Sequence, residues 1–405
     1  MKLLSGRDTI PEFAAVPDSD WGRWQWQKQH SVTIYPNDCN KARKLATLFR
    51  WLDDSNLNLE LLSELAEVWA INITPHTALQ LVRLRQGGRA DWYAQMLKYL
   101  LPTRERLDIK VPQQFVREGM GTEERRQSAY RDLPWSVTRL YDNRVVVRAS
   151  TICAVACQFC FRQHDVAEHH ELERNVQNGI KSAIGYVRKW NIENPLRRIS
   201  DVILSGGDPL SLGDKALGEI LAAFKAIGGV ELVRIDTKYP AVLPQRITPE
   251  LVQLLRTFQP IMMSIHFTHP GELCAEVKRA CDLLADNGIM LASHTPLLRG
   301  VNDDRETLKT LFWNEFVQMR TRPHLLIHTI DTPGTGHFRV PLEQGLDIMR
   351  FLEADLSGPA HPLFIVYSTK GGGKIHLLPS PIKNRTSDGW MMDTWVGEEF
   401  YADPI

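Results

Sequence analysis

The chain has 405 residues, 43% hydrophobic and 24% charged, with 48 basic and 48 acidic side chains and a formal net charge of zero. At ~150 residues per domain this is roughly two to three structural units, or one α/β barrel with additions, and there is ample apolar material for a core. The charge balance argues against nucleic-acid or membrane-surface binding driven by bulk charge, because phosphate contact needs a local excess of Lys and Arg.

The N-terminal stretch "MKLLSGRDTIPEF" lacks the apolar region of a signal peptide, and no run approaches the ~20 apolar residues of a membrane span. A cytoplasmic protein with reduced thiols is expected. Its cysteines are then better suited to bind metal or react than to form disulfides. Residues 1–130 read as a mainly helical region. "ARKLATLFRWLDD" and "LELLSELAEVWAI" carry apolar residues at helical spacing. Thr74 before Pro75 suits an N-cap with proline at the first helical position. Trp21, Trp24 and Trp26 read as a docking or core patch.

Over residues 131–350 short β-branched runs alternate with helical ones. The strands are "RVVVRAS", "SDVILSGG", "VELVRIDT", "PIMMSIHF", "IMLASHT" and "HLLIHTI", each followed by a helix-like segment. Such alternation predicts a parallel sheet with helices outside it. Right-handed crossovers coil it into a barrel or partial barrel, with sites at the C-terminal strand ends. Residues 351–405 form a C-terminal segment with few strong helix signals.

Three segments carry chemistry. "CAVACQFCFR" gathers Cys153, Cys157 and Cys160, whereas Cys39, Cys274 and Cys281 are scattered. Zinc usually takes four ligands, often as spaced pairs. A lone trio instead suits three irons of a [4Fe–4S] cluster, leaving the fourth iron open to a small molecule. "VILSGGDPL" ends the second barrel strand in Gly206, Gly207 and Asp208, where two glycines admit close approach to the backbone. "KGGGK" ends in Lys374, but Ile375 follows, so the phosphate-binding pattern G-x4-GK[ST] is absent. Taken singly, the last two segments are as well explained by a turn and a surface lysine.

Taken in order, the segments resemble the lysine 2,3-aminomutase family of radical S-adenosylmethionine (SAM), pyridoxal phosphate (PLP) enzymes. "WGRWQWQ", "TRLYDNRVVV", "CAVACQFCFR", "SGGDPL", "LPQRIT", "HFTHP", "LLRGVND", "GHFRVP" and "GGGKI" follow in family order over most of the chain. The resemblance implies an α/β fold: a radical SAM partial (β/α)6 barrel, an N-terminal helical region and a C-terminal segment carrying the PLP lysine. It implies that Cys153, Cys157 and Cys160 bind the cluster and that Gly206, Gly207 and Asp208 contact SAM. It makes Lys374 the Schiff-base lysine, with Arg144 and Arg139 at the PLP phosphate; Arg139 needs a one-residue insertion to match. His294 stands near the cofactor, where the family usually has glutamine. Arg162 matches the arginine that holds the substrate carboxylate, a bidentate pairing that fixes orientation.

The implied reaction uses a 5′-deoxyadenosyl radical to move the α-amino group of an L-α-amino acid to Cβ, giving a β-amino acid. A reductant protein such as flavodoxin or ferredoxin and a homo-oligomer are implied as well. The two aspartates that bind lysine's distal ammonium in the family are missing: Ile330, beside Asp331, and Tyr367 stand there. A buried ammonium without a carboxylate is costly, so lysine is disfavoured as substrate. Lys370 could instead meet an acidic side chain. No cysteine follows Cys281, so the zinc site of the lysine enzymes is not expected. The rival readings are an aminomutase acting on elongation factor P and a relative with non-mutase chemistry at Cβ.

Overall fold

The computed structural model describes residues 6–107, 133–162, 169–330, 332–367, 373–378, 380–394 and 397–403, with 169–175 as backbone alone. The N-terminal region holds helices α1 (Lys41–Leu52), α2 (Leu59–Leu65), α3 (Pro75–Gln86) and α4 (Ala90–Leu100), and a two-stranded sheet of β1 (Val32–Ile34) and β2 (Ile71–Ile73). Helix α1 buries Leu45, Leu48, Trp51 and Leu52, one stripe of an amphipathic helix. Helix α3 starts as expected: Pro75 is its first residue, and Thr74 Oγ1 accepts from the Thr77 N–H at 3.0 Å. The tryptophans dock. Phe13 packs on Trp21 and Trp51. Trp24 lies under the Arg246 guanidinium, which donates to the carbonyls of Leu210 and Leu212 just past the glycine pair.

Among the described residues the main sheet has nine strands, which neighbour one another in space in the same order as in the chain. These are β3 (Val137–Tyr141), β4 (Arg144–Ser150), β5 (Asp201–Gly206), β6 (Leu232–Thr237), β7 (Ile261–Ile265), β8 (Met290–Leu297), β9 (Arg322–His328), β10 (Leu363–Tyr367) and β11 (Lys374–His376). All six expected strand-helix units are present. Helices α5 (His169–Glu193), α6 (Asp214–Lys225), α7 (Pro249–Thr257), α8 (Ala275–Asp286), α9 (Arg305–Val317) and α10 (Leu342–Asp355) follow β4 to β9 in turn. Helix α10 runs through residue 350, and β10 adds a seventh parallel strand after it. Antiparallel β3 and β11 form the two edges.

The sheet curls, and its edges meet. The Lys374 backbone N–H on β11 donates to the Tyr141 hydroxyl on β3 at 2.6 Å. The outer face is apolar: Val145, Val147, Val233 and Ile235 are buried against the helices. The alternate, inward positions carry Arg144, Arg148, Asp201, Ser205, Arg234 and Asp236. Strands of a parallel sheet usually read apolar on both faces, so a polar lumen marks room for a polar ligand. Past the sheet, β12 (Ile382–Arg385), β13 (Gly389–Thr394) and β14 (Gly397–Ala402) form a separate antiparallel sheet with Phe400 and Tyr401 exposed. No helix among the described residues is long and apolar enough to cross a membrane.

Candidate active site

The cysteine loop leaves the C-terminal end of β4. The thiols of Cys153, Cys157 and Cys160 lie close enough that each acts electrostatically on the others. Burial raises the Cys153 thiol well above its ordinary value and pushes Cys157 up to about 12, against the pull of the Lys238 ammonium. Three converging thiols in a half-buried loop fit a metal cluster, whose charge would deprotonate them on binding. The N-terminal region grips this loop. Asn72 Nδ2 donates to the Cys153 carbonyl at 2.8 Å, and the Ala156 N–H to the Asn72 carbonyl. The Gln158 N–H donates to the Tyr99 carbonyl, and its side-chain amide to that of Ala70. Arg106, 1% exposed, donates to the Gln158 carbonyl. These anchors lie in a region whose sequence reads only as helical packing.

The glycine pair closes against the same loop. Gly206 has φ +117°, and a Cβ on Gly207 would lie 2.6 Å from backbone atoms of Thr151 and Ile152. The Gly207 and Asp208 N–H groups donate to the carbonyls of Ser150 and Ile152. The close approach that requires glycine is therefore made by the β4 backbone. Asp208 is buried, and its carboxylate accepts from Leu210 N–H, Thr237 Oγ1 and Lys238 N–H. Burial still lifts it to about 7, against those three bonds. Arg162 reaches back into the lumen, donating to Ser205 Oγ at 2.9 Å and to the Gly206 carbonyl at 3.2 Å.

At the other end of the lumen, Lys374 stands directly opposite Tyr367 in the β10–β11 ladder, so the two side chains share a face. Burial lowers the Lys374 ammonium to about 8; Arg234 and Arg144 add to the drop, and Asp236 opposes it. Arg234 forms a bidentate pair with Asp201, at 3.0 and 2.7 Å. Arg144 stacks on the Tyr141 ring at 3.8 Å. Gly373, φ +79°, is needed because a Cβ there would strike the Tyr141 phenol. Between the two ends lie three imidazoles: His266 and His294 stack at 5.7 Å, and His294 and His324 approach to 5.4 Å. A register irregularity opposite Ser293 and His294 leaves His324 without a ladder partner. Burial holds His266 and His324 down to about 4 and keeps His294 well below the ordinary imidazole value, so the neutral form is favoured in all three.

Asp236 Oδ1, Ser264 Oγ, His294 Nε2 and His324 Nδ1 are buried and have no hydrogen-bond partner. Orphaned buried polar atoms of this kind leave bonds that water or a ligand can satisfy. Asp236, His266 and His294 have ligand atoms within 4.8 Å of one another, a spacing a metal ion could use. Yet the groups that act on Lys374 are Arg144 and Arg234 against Asp201 and Asp236, and the ammonium itself tips the balance to positive. That excess favours an anionic group such as a phosphate ester over a dication.

The sequence-derived residues thus fall into three sets. The cysteines, Arg162 and the glycine pair meet at the mouth of the lumen; Lys374, Arg144, His294 and Tyr367 meet deeper in. Arg139 is not brought there. Its guanidinium faces the helix layer, 3.8 Å from the Trp190 ring, donating to the Tyr186 hydroxyl and the carbonyls of Tyr141 and Asp142. Ile330 is partly buried beyond β9, while Asp331 and Lys370 lie outside the described residues. Tyr141, Asp201, Arg234, Asp236, His266 and His324 are site residues that motif reading missed. For all but Tyr141 the signal is a charged or imidazole group on, or next to, a mainly apolar strand.

No family model matches the chain. Among curated proteins it is 31% identical over 402 residues to the L-lysine 2,3-aminomutase of Clostridium subterminale, covering 97% of this chain and 87% of that protein. It is 32% identical over 368 residues to the L-lysine 2,3-aminomutase of Fusobacterium nucleatum, covering 91% and 79%. It is 30% identical over 382 residues to the glutamate 2,3-aminomutase of Clostridioides difficile, covering 94% and 82%. With near-complete coverage at this identity, the chain belongs to the lysine 2,3-aminomutase family and is an enzyme of the isomerase class.

Proposed function

We propose that the enzyme is a cytoplasmic radical SAM, PLP-dependent 2,3-aminomutase acting on a free L-α-amino acid. The observation that carries this reading is the shared lumen of Arg162 and Lys374. His266 feels the Arg162 charge, and its stacking partner His294 feels that of Lys374. Bound there, the cluster with SAM would supply removal of a hydrogen atom from Cβ and its return to Cα, and PLP would carry the migrating amino nitrogen. Cys153, Cys157 and Cys160 hold the cluster. Gly206 and Gly207 shape the SAM side through their backbone, since the Asp208 carboxylate is already engaged. Arg162 orients the substrate carboxylate by charge-assisted hydrogen bonds. Lys374, whose pKa of about 8 lies much nearer working pH than an ordinary lysine's, would hold PLP through its amine, and Arg144 would neutralise the phosphate. The product is an isomer of the substrate, its amino group moved from Cα to Cβ and a hydrogen from Cβ to Cα.

The distal pocket favours a side chain without a positive charge. Ile330 and Tyr367 supply no carboxylate, and the lumen has a cationic excess. Two partners complete the reading: a one-electron donor of the flavodoxin or ferredoxin type, and a second copy of the chain, for which the apolar exposure of β14 is the support. The test is anaerobic incubation of reconstituted enzyme with SAM, PLP, a reductant and pooled L-amino acids, followed by chromatography for β-amino acids. One new β-isomer is expected, and L-glutamate alone should outperform L-lysine alone. Intact SAM cleavage and PLP loading without any β-amino acid would overturn the proposal.

A further inference from the structure

The cysteine loop is held by a cation that neither the motifs nor the family relationship assigns. Arg106 lies in the short helix Arg104–Leu107 at the end of the N-terminal region and is among the largest fully buried side chains. Its guanidinium rests on the Trp69 ring at 3.8 Å. It donates to the Gln158 carbonyl, inside the Cys157–Cys160 turn, and to the Gly334 carbonyl at 3.1 Å. The guanidinium and the Cys160 thiol act on one another; burial lowers Arg106 only to about 9, so it is charged at neutral pH. A second buried cation, Lys238, acts on Cys157, but Glu272 pairs with it at 2.5 Å, and their opposed charges partly cancel at the loop. Arg106 differs from Lys238 in gripping the turn itself.

We propose that Arg106 is a positioning residue for the iron–sulfur cluster of Cys153, Cys157 and Cys160, raising its reduction potential by placing a fixed positive charge against the Cys157–Cys160 turn. The inference rests on the cluster reading above. A cluster on three thiolates becomes more negative when it takes up an electron. A cation held nearby in low-dielectric surroundings stabilises that reduced state more than the oxidised one. The Trp69 face keeps the guanidinium there at little cost in hydration, since arginine is the more weakly hydrated cation and stacks on aromatic rings.

The test compares full-length wild type, Arg106→Lys and Arg106→Gln, each reconstituted anaerobically with iron and sulfide, without SAM or PLP. Iron and sulfide are counted, and the midpoint potential is measured by dye-mediated titration followed by electron paramagnetic resonance. Arg106→Gln is expected to keep its iron and shift the reduction equilibrium at least tenfold toward the oxidised form, about 59 mV for one electron. Arg106→Lys, which keeps the charge and loses the fork, should stay near wild type. If Arg106→Gln does not accumulate, Arg106→His takes its place, measured above the imidazole pKa. An unshifted potential in the neutral variant overturns the inference. So does equal loss of iron from the Lys and Gln variants, which marks a purely structural role. A wild type that takes up no cluster overturns the proposed function as well, so the two failures are distinguishable.

Discussion

The lowered pKa of Lys374 gives a quantitative expectation for cofactor loading. Imine formation needs the free amine. A drop from 10.5 to about 8 multiplies the free-amine fraction at neutral pH about 300-fold. The rate at which PLP associates with the apoprotein, followed by the change in cofactor absorbance, should therefore rise with pH, with its midpoint near 8, and level off above it. The causes can be separated. Arg144→Gln removes a cation and should move the midpoint up; Asp236→Asn removes the opposing carboxylate and should move it down. Stability should follow the same window. Between about 8 and 10.5 the unfolded chain holds the proton that folded Lys374 has released, so the apoprotein should gain stability as pH rises through that interval. A loading midpoint near the ordinary lysine value, or an upward move with Asp236→Asn, would refute the account of a desolvated amine.

Three further outcomes are expected. Lys238 donates to the His266 carbonyl, Thr268 Oγ1 and Glu272 Oε1, and Glu272 also accepts from the Tyr99 hydroxyl. Removing either member of this buried pair should cost ~3–5 kcal/mol, and the double variant Lys238→Met/Glu272→Gln should cost less than the sum. Strictly additive losses in denaturant unfolding would contradict the pairing. Gly373→Ala combines a left-handed backbone, ~1–2 kcal/mol for a residue with a Cβ, with a collision against Tyr141, so PLP should dialyse out faster than from wild type. Equal retention would free Gly373 of that role. Ile330→Asp should raise kcat/KM for L-lysine relative to L-glutamate by at least about tenfold, as expected for one good charge contact; an unchanged ratio would place the distal pocket elsewhere.

The barrel was legible because apolar runs of period two alternate with helical ones, and each of the six units matches its strand and helix. Strand β10 was not, since "PLFIVY" has no helix after it to mark a unit. The cysteine trio stands out in the sequence by its spacing, and Lys374 only by its place in the order of family motifs. The middle of the lumen was not legible. Asp201 on β5, Arg234 and Asp236 on β6 and His266 just past β7 are polar groups among apolar neighbours, and sheet register brings them together. His324 needs the irregularity opposite His294 as well. Arg139 shows the limit of spacing arguments. The ladder shifts between Thr138 and Tyr141; Tyr141 stays beside Lys374 while Arg139 turns to the helices. Asn72, Tyr99 and Arg106 carry no motif and are identified only by their bonds to the cysteine loop.

The contact between Tyr141 and Lys374 joins groups 233 positions apart in sequence. Every parallel strand lies between them, so this closure cannot form until the rest of the sheet is in register. Contacts of such separation form late, because the ordering entropy of the intervening chain must be met first. Lys374 thus reaches its place only once the sheet has closed. On the proposed function, a partly folded chain would hold iron on its early cysteine loop and still fail to retain pyridoxal phosphate. Retention of that cofactor would then report on completed folding, and iron content would not.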